Sequence, residues 1–349
     1  MIKKEITIYD IAKRLNISPT TVSRGLKNHP AININTKKKI TDLAKELGYR
    51  SNTFASNLRK QNTNTIGVII PRLDGFMSNV MSGIERIVNN AGYNLIITQS
   101  FESLEKEKTN AATMFNSRVD GLIVSLSNDF NGLNHFRNFI KKGVPLIFFD
   151  RIAEDFPSTK VVIDNFKGGY IATTHLIEQG CKNILHITGT LNGKVYRDRF
   201  EGYKKALADQ EIAYSPEMFI SNALSETEII DCFKNDILKR RILPDGIFIT
   251  NDFSAAFAIK VLKEAGIKVP EDIAIIGFNN DQVSKVTEPP ISTINYPSKE
   301  MGESIARILV SHFQGNGDLS ITNTVLLNTE LVIRGSSLKK KTTRNLDNF

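Results

Sequence analysis

The apolar positions near the start of the chain repeat with the period of an α-helix. Across residues 7–15, Ile8, Ile11, Ala12 and Leu15 fall on one helical face, and the remaining positions are mostly polar. This spacing predicts a short amphipathic helix, which ends where Asn16 and Ile17 interrupt the pattern.

A second short helix is predicted directly after this break. Ser18 is a suitable N-cap, and Pro19 follows at the first helical position, where its missing N–H costs nothing. Two short helices separated by three or four residues indicate a helix-turn-helix, whose second helix enters the major groove of DNA. An ordinary helical hairpin would show the same local pattern. The side chains that the second helix directs outward are Pro19, Thr20, Ser23 and Arg24. Hydroxyl groups can contact base edges or phosphates, and an arginine can bind guanine with two hydrogen bonds.

A third helix is predicted over residues 34–47, with Asn33 as its N-cap and Gly48 at its end. Its inward face carries Ile40, Leu43, Ala44 and Leu47. A three-helix unit of this kind can bury a small core of its own.

From Thr65 onward, short apolar runs alternate with amphipathic stretches. Predicted strands are 66–70, 95–98, 121–125, 146–149, 161–163, 184–188, 246–249 and 273–277, and predicted helices include 80–91, 171–179, 200–208 and 255–265. Buried strands that alternate with helices indicate parallel sheets covered on both faces. The pattern predicts two such units in line.

Charge is concentrated at the beginning of the chain. Residues 1–60 contain 13 Lys or Arg against 4 Asp or Glu, a net charge of +9, and the remainder sums to −1. A basic surface that is merely solvated would spread this excess along the chain. The concentration indicates a polyanionic partner, and nucleic acid is favoured over a membrane surface because the predicted helices leave no apolar face for lipid.

Other classes of site have no sequence signature here. Cys181 and Cys232 are too few and too far apart for a disulfide framework, and the five histidines form no metal-binding pair. No apolar run approaches the length of a membrane span, and no signal-peptide pattern follows Met1, so we expect a cytoplasmic protein. We also expect no metal, no cofactor and no catalysis, since nucleophile, phosphate-loop and dinucleotide motifs are missing.

Three motifs together are specific: residues 7–12 (TIYDIA), 21–24 (TVSR) and 48–58, which begin with Gly48-Tyr49 and end at Leu58. On these motifs the chain resembles the LacI/GalR family of bacterial transcription regulators, nearly from end to end. The resemblance implies an all-α helix-turn-helix headpiece with a hinge helix, followed by an α/β two-lobed domain like that of periplasmic binding proteins. It also implies the following division: headpiece 1–50, hinge helix and linker 51–64, effector-binding and dimerisation domain 65–338 (N-lobe 65–163 and 297–325, C-lobe 164–296 and 326–338), and basic tail 339–349.

The resemblance implies a set of DNA-binding residues in the headpiece and hinge. In the family the hinge folds on the operator, and Leu58 matches the leucine that wedges into the minor groove; a plain core leucine is the alternative. Ser51 replaces a usual proline and Ser56 a frequent arginine, departures that should weaken operator affinity. The implied residues are Thr7, Tyr9, Ser18, Pro19, Thr20, Thr21, Ser23, Arg24, Asn52, Ala55, Leu58 and Arg59.

An effector is expected in the cleft at the C-terminal ends of the strands. The implied residues are Phe76, Ser125, Asp150, Arg199, Asn251, Asp252, Asn279 and Tyr296. Arginine, carboxylate and amide groups bind neighbouring hydroxyls in pairs, which favours a sugar or sugar phosphate; a nucleobase or nucleoside would suit the same groups. Three residues have structural alternatives. Asp252 would only cap a helix, Asp150 would pair with Arg151, and Arg199 would be solvated.

These expectations describe a ligand-responsive regulator that binds a near-palindromic, double-stranded operator as a homodimer. The resemblance favours a repressor. A solute-binding protein on the same fold would need a signal peptide and no basic headpiece, and a sugar-acting enzyme would need turnover, so both are kept only as alternatives.

Overall fold

The computed structural model describes residues 6–49, 62–128, 132–319 and 322–339. The chain divides between Thr63 and Asn64 into two compact units. The first is a small helical headpiece, and the second is an α/β body that contains two six-stranded sheets.

The described part of the headpiece, residues 6–49, contains three helices: α1 (Ile8–Leu15), α2 (Pro19–Leu26) and α3 (Ile34–Glu46). Asn16 ends α1 because its backbone turns into the left-handed region, at φ 54°. Gly48 does the same after α3, at φ 65°, where a glycine adopts the conformation without strain. The buried core is made of one apolar face from each helix: Ile11, Ala12, Val22, Ile40 and Ala44. The predicted inward faces of α1 and α3 are therefore confirmed.

One sheet of the body is entirely parallel and forms the N-lobe. Its strand order is β11-β5-β4-β3-β1-β2. These strands are β1 (Thr65–Ile70), β2 (Asn94–Gln99), β3 (Gly121–Val124), β4 (Leu146–Phe149), β5 (Thr159–Ile163) and β11 (Thr324–Leu327). The helices of this lobe are α4 (Gly75–Asn90), α5 (Leu104–Asn116), α6 (Arg137–Lys141) and α12 (Ser298–Phe313).

The other sheet forms the C-lobe, with strand order β12-β10-β9-β8-β6-β7. Only β12 runs antiparallel to its neighbour. These strands are β6 (Ile184–Thr188), β7 (Phe219–Ser221), β8 (Gly246–Ile249), β9 (Ala274–Asn279), β10 (Ser292–Asn295) and β12 (Glu330–Val332). The helices are α7 (Asn165–Glu178), α8 (Lys194–Asp209), α9 (Glu226–Asn235), α10 (Asp252–Glu264) and α11 (Val283–Val286).

The chain crosses between the lobes three times, after β5, after β10 and after β11. Both lobes therefore present the C-terminal ends of their parallel strands to a shared seam, where a ligand cleft is expected in this kind of fold. The two faces of each sheet are covered by separate apolar clusters, which explains why the strand sequences are continuous apolar runs.

Two pairs of helices pack unusually closely. Gly83 of α4 lies against the backbone of α12 at Lys299, and Gly302 of α12 lies against the backbone of α4 at Val80. In the same way, Gly202 of α8 leaves no room for a Cβ beside the carbonyl oxygen of Phe166. Glycine is required at these positions because any side chain would separate the helices.

The predicted fold class is confirmed, and all eight predicted strands occur with their ends within two residues of the expected positions. The strands β7, β10, β11 and β12 were not predicted. They are short, and β7, β11 and β12 leave most of their positions partly or fully exposed, so their apolar pattern is weak.

Candidate DNA interface and effector cleft

The recognition helix α2 begins at a well-formed cap. The Ser18 hydroxyl accepts a hydrogen bond from the Thr21 backbone N–H at 3.1 Å and contacts the Thr21 hydroxyl at 2.8 Å. Pro19 occupies the first helical position, as predicted. The hydroxyls of Ser18 and Thr21 are therefore hydrogen-bonded to each other. Thr20 and Arg24 are exposed to solvent, and Ser23 is half-buried.

The first sequence motif, residues 7–12, spans the N-cap and the first turn of α1. Thr7 donates to Asp10 through its hydroxyl at 2.7 Å and its backbone N–H at 2.8 Å, which stabilises the first turn. Tyr9 is 68% exposed although it is aromatic, so its ring is available to a partner. Gly25 on the buried side of α2 packs directly against Ile40 of α3 and sets the spacing of these helices.

The hinge lies outside the described residues. The predicted DNA contacts Asn52, Ala55, Leu58 and Arg59 fall there, as do the departures Ser51 and Ser56. Their roles stay predictions.

The effector residues predicted at strand ends do lie there. Ser125 follows β3, Asp150 follows β4, Asn251 and Asp252 follow β8, and Asn279 is the last residue of β9. Ser125 is fully buried, its backbone N–H donates to Ile69 O at 3.0 Å, and its hydroxyl has no hydrogen-bond partner. A buried hydroxyl without a hydrogen-bond partner costs free energy, so this group is a candidate to bind a ligand.

Asp150 joins the N-lobe to the segment that follows β10. The Tyr296 hydroxyl donates to Asp150 Oδ1 at 3.0 Å, and the Phe76 ring packs 4.6 Å from the Tyr296 ring, centroid to centroid. Burial raises the pKa of Asp150, and the charges of Arg151 and Arg199 partly oppose this. Three of the predicted effector residues are thus in one cluster. The alternative pairing of Asp150 with Arg151 is wrong as a salt bridge, because Arg151 Nη1 instead binds both oxygens of Glu102, at 2.7 and 2.8 Å.

Arg199 is only 4% exposed, so the alternative of a solvated helix residue is wrong. Its Nε donates to Asn165 Oδ1 at 2.9 Å and its Nη1 to Thr250 O at 3.2 Å. The guanidinium carbon lies 3.6 Å from the centroid of the Phe278 ring, a cation–π contact. Burial lowers the pKa of Arg199, although an arginine remains charged under ordinary conditions.

Asn251 and Asp252 have different tasks. Asn251 is the N-cap of α10 and accepts from the Ser254 N–H at 3.1 Å, so the alternative that Asp252 caps this helix is wrong. Asp252 is fully buried, and its two oxygens accept from Asp281 N–H and from the Thr293 hydroxyl, both at 2.8 Å. Burial raises the pKa of Asp252 to about 8. Both of its oxygens already have internal partners, a structural role that tells against the predicted effector contact.

Asn279 is 5% exposed, and its Nδ2 donates to Asp281 Oδ2 at 3.4 Å. Asp281 in turn lies against Gly75 at the start of α4, across the seam, and burial raises its pKa to about 6. Asp281 therefore links the C-lobe to the N-lobe, a role that its sequence context does not indicate.

Sequence reasoning also missed a second group at the seam. A cavity of about 10 Å³, enough for roughly one water molecule, lies between the loops after β3 and β4 and the start of α8. Lys194 of α8 reaches across to Glu154 of the N-lobe at 3.1 Å, so the lobes are closed on each other here. The residues that line the cavity are Ser127, Asn128, Arg151, Ile152, Gly193, Lys194 and Val195. They are spread over three loops, and only their positions after strand ends could have indicated them.

Two further searches are limited to the described part of the chain. No helix there is long and apolar enough to cross a membrane. No group of three or more His, Cys, Asp or Glu side chains there could hold a metal ion.

Comparison with known proteins gives the family. The model for bacterial regulatory proteins of the lacI family matches residues 7–52, and the model for the periplasmic binding protein-like domain matches residues 173–337. The HTH-type transcriptional repressor PurR of Aliivibrio fischeri (strain MJ11) is 32% identical over 315 residues, which cover 88% of this chain and 92% of PurR.

Solved structures share the fold. The lac repressor dimer bound to operator and the anti-inducer ONPF superposes with a TM-score of 0.78 at 23% identity, covering 96% of this chain and 100% of that one. A periplasmic binding protein/LacI transcriptional regulator from Alkaliphilus metalliredigens QYMF, complexed with D-xylulofuranose, superposes with a TM-score of 0.65 at 26% identity. The match covers 78% of this chain and 99% of that one.

These relatives are regulators rather than enzymes, as the lack of catalytic motifs predicts. The outward face of α2 and the seam between two lobes are the parts that such a regulator needs, for DNA and for a small effector. The chain belongs to the LacI family of bacterial transcription regulators, as a DNA-binding protein with an effector-binding domain.

Proposed function

We propose that this regulator is a repressor that binds a near-palindromic operator as a homodimer and responds to a sugar-like effector held between its lobes. The observation that carries the proposal is α2, which presents Thr20 and Arg24 to solvent on a segment, residues 1–60, of net charge +9. Positive charge provides affinity for phosphates, and the two side chains provide contacts for base edges. The related PurR is a repressor, which supports the direction of regulation.

A homodimer is supported by apolar side chains left exposed along one edge of the N-lobe. β2 is an edge strand, and Ile96 and Ile97 on it are each 39% exposed. Leu73 and Phe101 nearby in sequence are 44% and 57% exposed. An apolar edge strand is prone to pair with another chain unless it is covered, and a second copy of this protein would cover it.

The effector class is supported by the chemistry of the cleft. Hydroxyl, carboxyl, amide and guanidinium groups meet at the seam beside the Phe76 and Tyr296 rings. This combination suits a ring with several hydroxyls. The sugar in the related D-xylulofuranose complex is consistent with this class. Ligand binding would bias one lobe arrangement over another, and the hinge would transmit the difference to the headpiece.

The direct test is selection of binding sites from random duplexes by the full-length protein, followed by fluorescence anisotropy on the selected site. We expect a symmetrical consensus and a steep loss of affinity with increasing salt. A Leu58→Ala variant should bind this site at least tenfold more weakly while its stabilisation by an effector is unchanged, because the wedge acts only on DNA. Equal affinity for the symmetrical site and for bulk DNA, with and without each candidate sugar, would refute the proposal.

A further inference from the structure

The cations at the seam are already occupied. Arg151 binds both oxygens of Glu102, and Lys194 Nζ lies 3.1 Å from Glu154 Oε1 and 3.2 Å from Asp198 Oδ2. Binding a phosphate group would therefore require one of these pairs to break.

Two of the three side-chain nitrogens of Arg199 are committed to the protein itself. Its Nε and Nη1 donate to Asn165 and Thr250, and the face of its guanidinium lies on the Phe278 ring. Beside it the buried carboxyl group of Asp150 adds a further acidic group. Among the described side chains, Arg151 and Lys194, the two cations that line the small cavity, are thus both paired with carboxylates, so neither offers an uncompensated charge to an anionic ligand.

The polar atoms left without partners call for a hydrogen-bond donor or a hydroxyl. Asn128 Oδ1 is buried without a partner, and it faces the C-lobe, 3.3 Å from where a Cβ on Gly193 would lie. The hydroxyls of Ser100 and Ser125, at the ends of β2 and β3, are also buried without partners. An amide oxygen can only accept, and a phosphate at neutral pH offers chiefly acceptors, so the two are mismatched. A ligand hydroxyl, in contrast, can donate to Asn128.

Glu102 holds this arrangement together. Besides neutralising Arg151, it accepts from the Asn128 backbone N–H at 3.0 Å, so it fixes the position of the unpartnered amide. We infer that the effector is a neutral polyhydroxylated molecule, and that Glu102 excludes phosphorylated or carboxylated analogues by keeping Arg151 paired. The inference rests on the proposed effector site and narrows the class of effector, because the sequence alone favoured sugars and sugar phosphates alike.

Inorganic phosphate is the first probe, used on the full-length protein in a thermal-shift titration against chloride at matched ionic strength. Three variants are compared with wild type: Arg151→Gln, Glu102→Gln, and Glu105→Gln as a matched control. Glu105 is an exposed residue of α5, and its salt bridge with Lys108 does not involve the seam residues. We expect wild type, Arg151→Gln and Glu105→Gln to respond to phosphate equally, since any response would come from outside the cleft. Glu102→Gln should gain a saturable rise in Tm of roughly 2 °C or more, because it frees Arg151 to bind the anion.

A smaller phosphate response in Arg151→Gln than in wild type would overturn the inference, because Arg151 would then already bind anions. An equal response in Glu102→Gln and wild type would overturn it too, since Glu102 would not be the group that keeps phosphate out. The second arm compares ribose with ribose 5-phosphate and glucose with glucose 6-phosphate. A phosphorylated sugar that binds as tightly as its free partner would also refute it. Failure of the proposed function would appear separately, as loss of preference for a symmetrical DNA site.

Discussion

Replacement of Asp252 by asparagine should remove much of the pH dependence of the unfolding free energy of the body. Asp252 is fully buried at the end of β8, and burial raises the pKa of its carboxyl group to about 8. In the unfolded chain the pKa of an aspartate is about 3.9. The folded state therefore binds this proton more tightly, so the unfolding free energy is highest below about pH 4 and falls as pH rises to about 8.

The magnitude follows from the same two values. One pKa unit corresponds to about 1.4 kcal/mol, so the slope attributable to Asp252 approaches about 1.4 kcal/mol per pH unit, and the whole effect is on the order of 5 kcal/mol. Asp281 has a pKa of about 6, so it contributes in the same direction only at lower pH. Asp281 is half-protonated at pH 6 and almost fully ionised by pH 7, so the interval from pH 7 to pH 8 reports chiefly on Asp252.

Asparagine suits the site as a mimic of the protonated acid. Its Oδ1 can accept from the Asp281 N–H, and its Nδ2 can donate to the Thr293 hydroxyl. That hydroxyl has a second acceptor, the carbonyl oxygen of Ile294 at 3.4 Å. The variant should therefore keep its hydrogen bonds at neutral pH and lose only the ability to ionise as the pH rises.

The assay is urea unfolding of wild type and Asp252→Asn at one protein concentration, at half-unit steps from pH 6 to pH 8. The difference between the two proteins cancels the histidines and the other shared groups. Asp231→Asn on α9 is the control, since it makes the same change at an exposed carboxyl. Equal pH slopes in wild type and Asp252→Asn would refute the reasoning, because the buried carboxyl would then not be the group that titrates.

Two other substitutions test the headpiece and the helix packing. Arg24→Ala should cost about 1–3 kcal/mol at one base pair of each half-site, measured by anisotropy on single-base variants of the operator, whereas an equal loss on random DNA would mean that Arg24 contacts only phosphates. Gly202→Ala should lower the unfolding free energy by about 1–3 kcal/mol or more in urea unfolding, because a Cβ there collides with the Phe166 carbonyl and the helix-propensity gain of up to about 1 kcal/mol is smaller. Gly317→Ala, outside any helix, is the comparison: a Cβ there would lie 3.3 Å from the Ser311 hydroxyl, a side-chain atom that can move, so the loss should be smaller. Equal effects of the two substitutions would argue against close helix packing.

The headpiece was predictable because its signals are local. Ser18, Asn33 and Gly48 cap or end helices through atoms two or three residues away, and the sequence contains that whole interaction. The cleft was predictable only in part. Strand ends located Asp150 and Asp252, but the partners of Asp252 lie 29 and 41 residues away, so no local pattern distinguishes an internal hydrogen-bond acceptor from a ligand contact. The same holds for Glu102 and Arg151, which are 49 residues apart.

The strand order of the N-lobe also bears on how the protein is made. The sheet begins with β1 at Thr65, yet its outer strand β11 ends at Leu327, and α12, which covers one of its faces, begins only at Ser298. A nascent chain emerging from the ribosome can complete its headpiece early, as domains near the N-terminus generally do. The N-lobe must then wait for almost the entire remaining chain, with the α4 surface around Gly83 uncovered during synthesis of the C-lobe. Chaperones that bind nascent chains should therefore be recruited to the incomplete N-lobe. Premature termination before Thr324 should yield a polypeptide with a complete headpiece and an incomplete effector-binding domain.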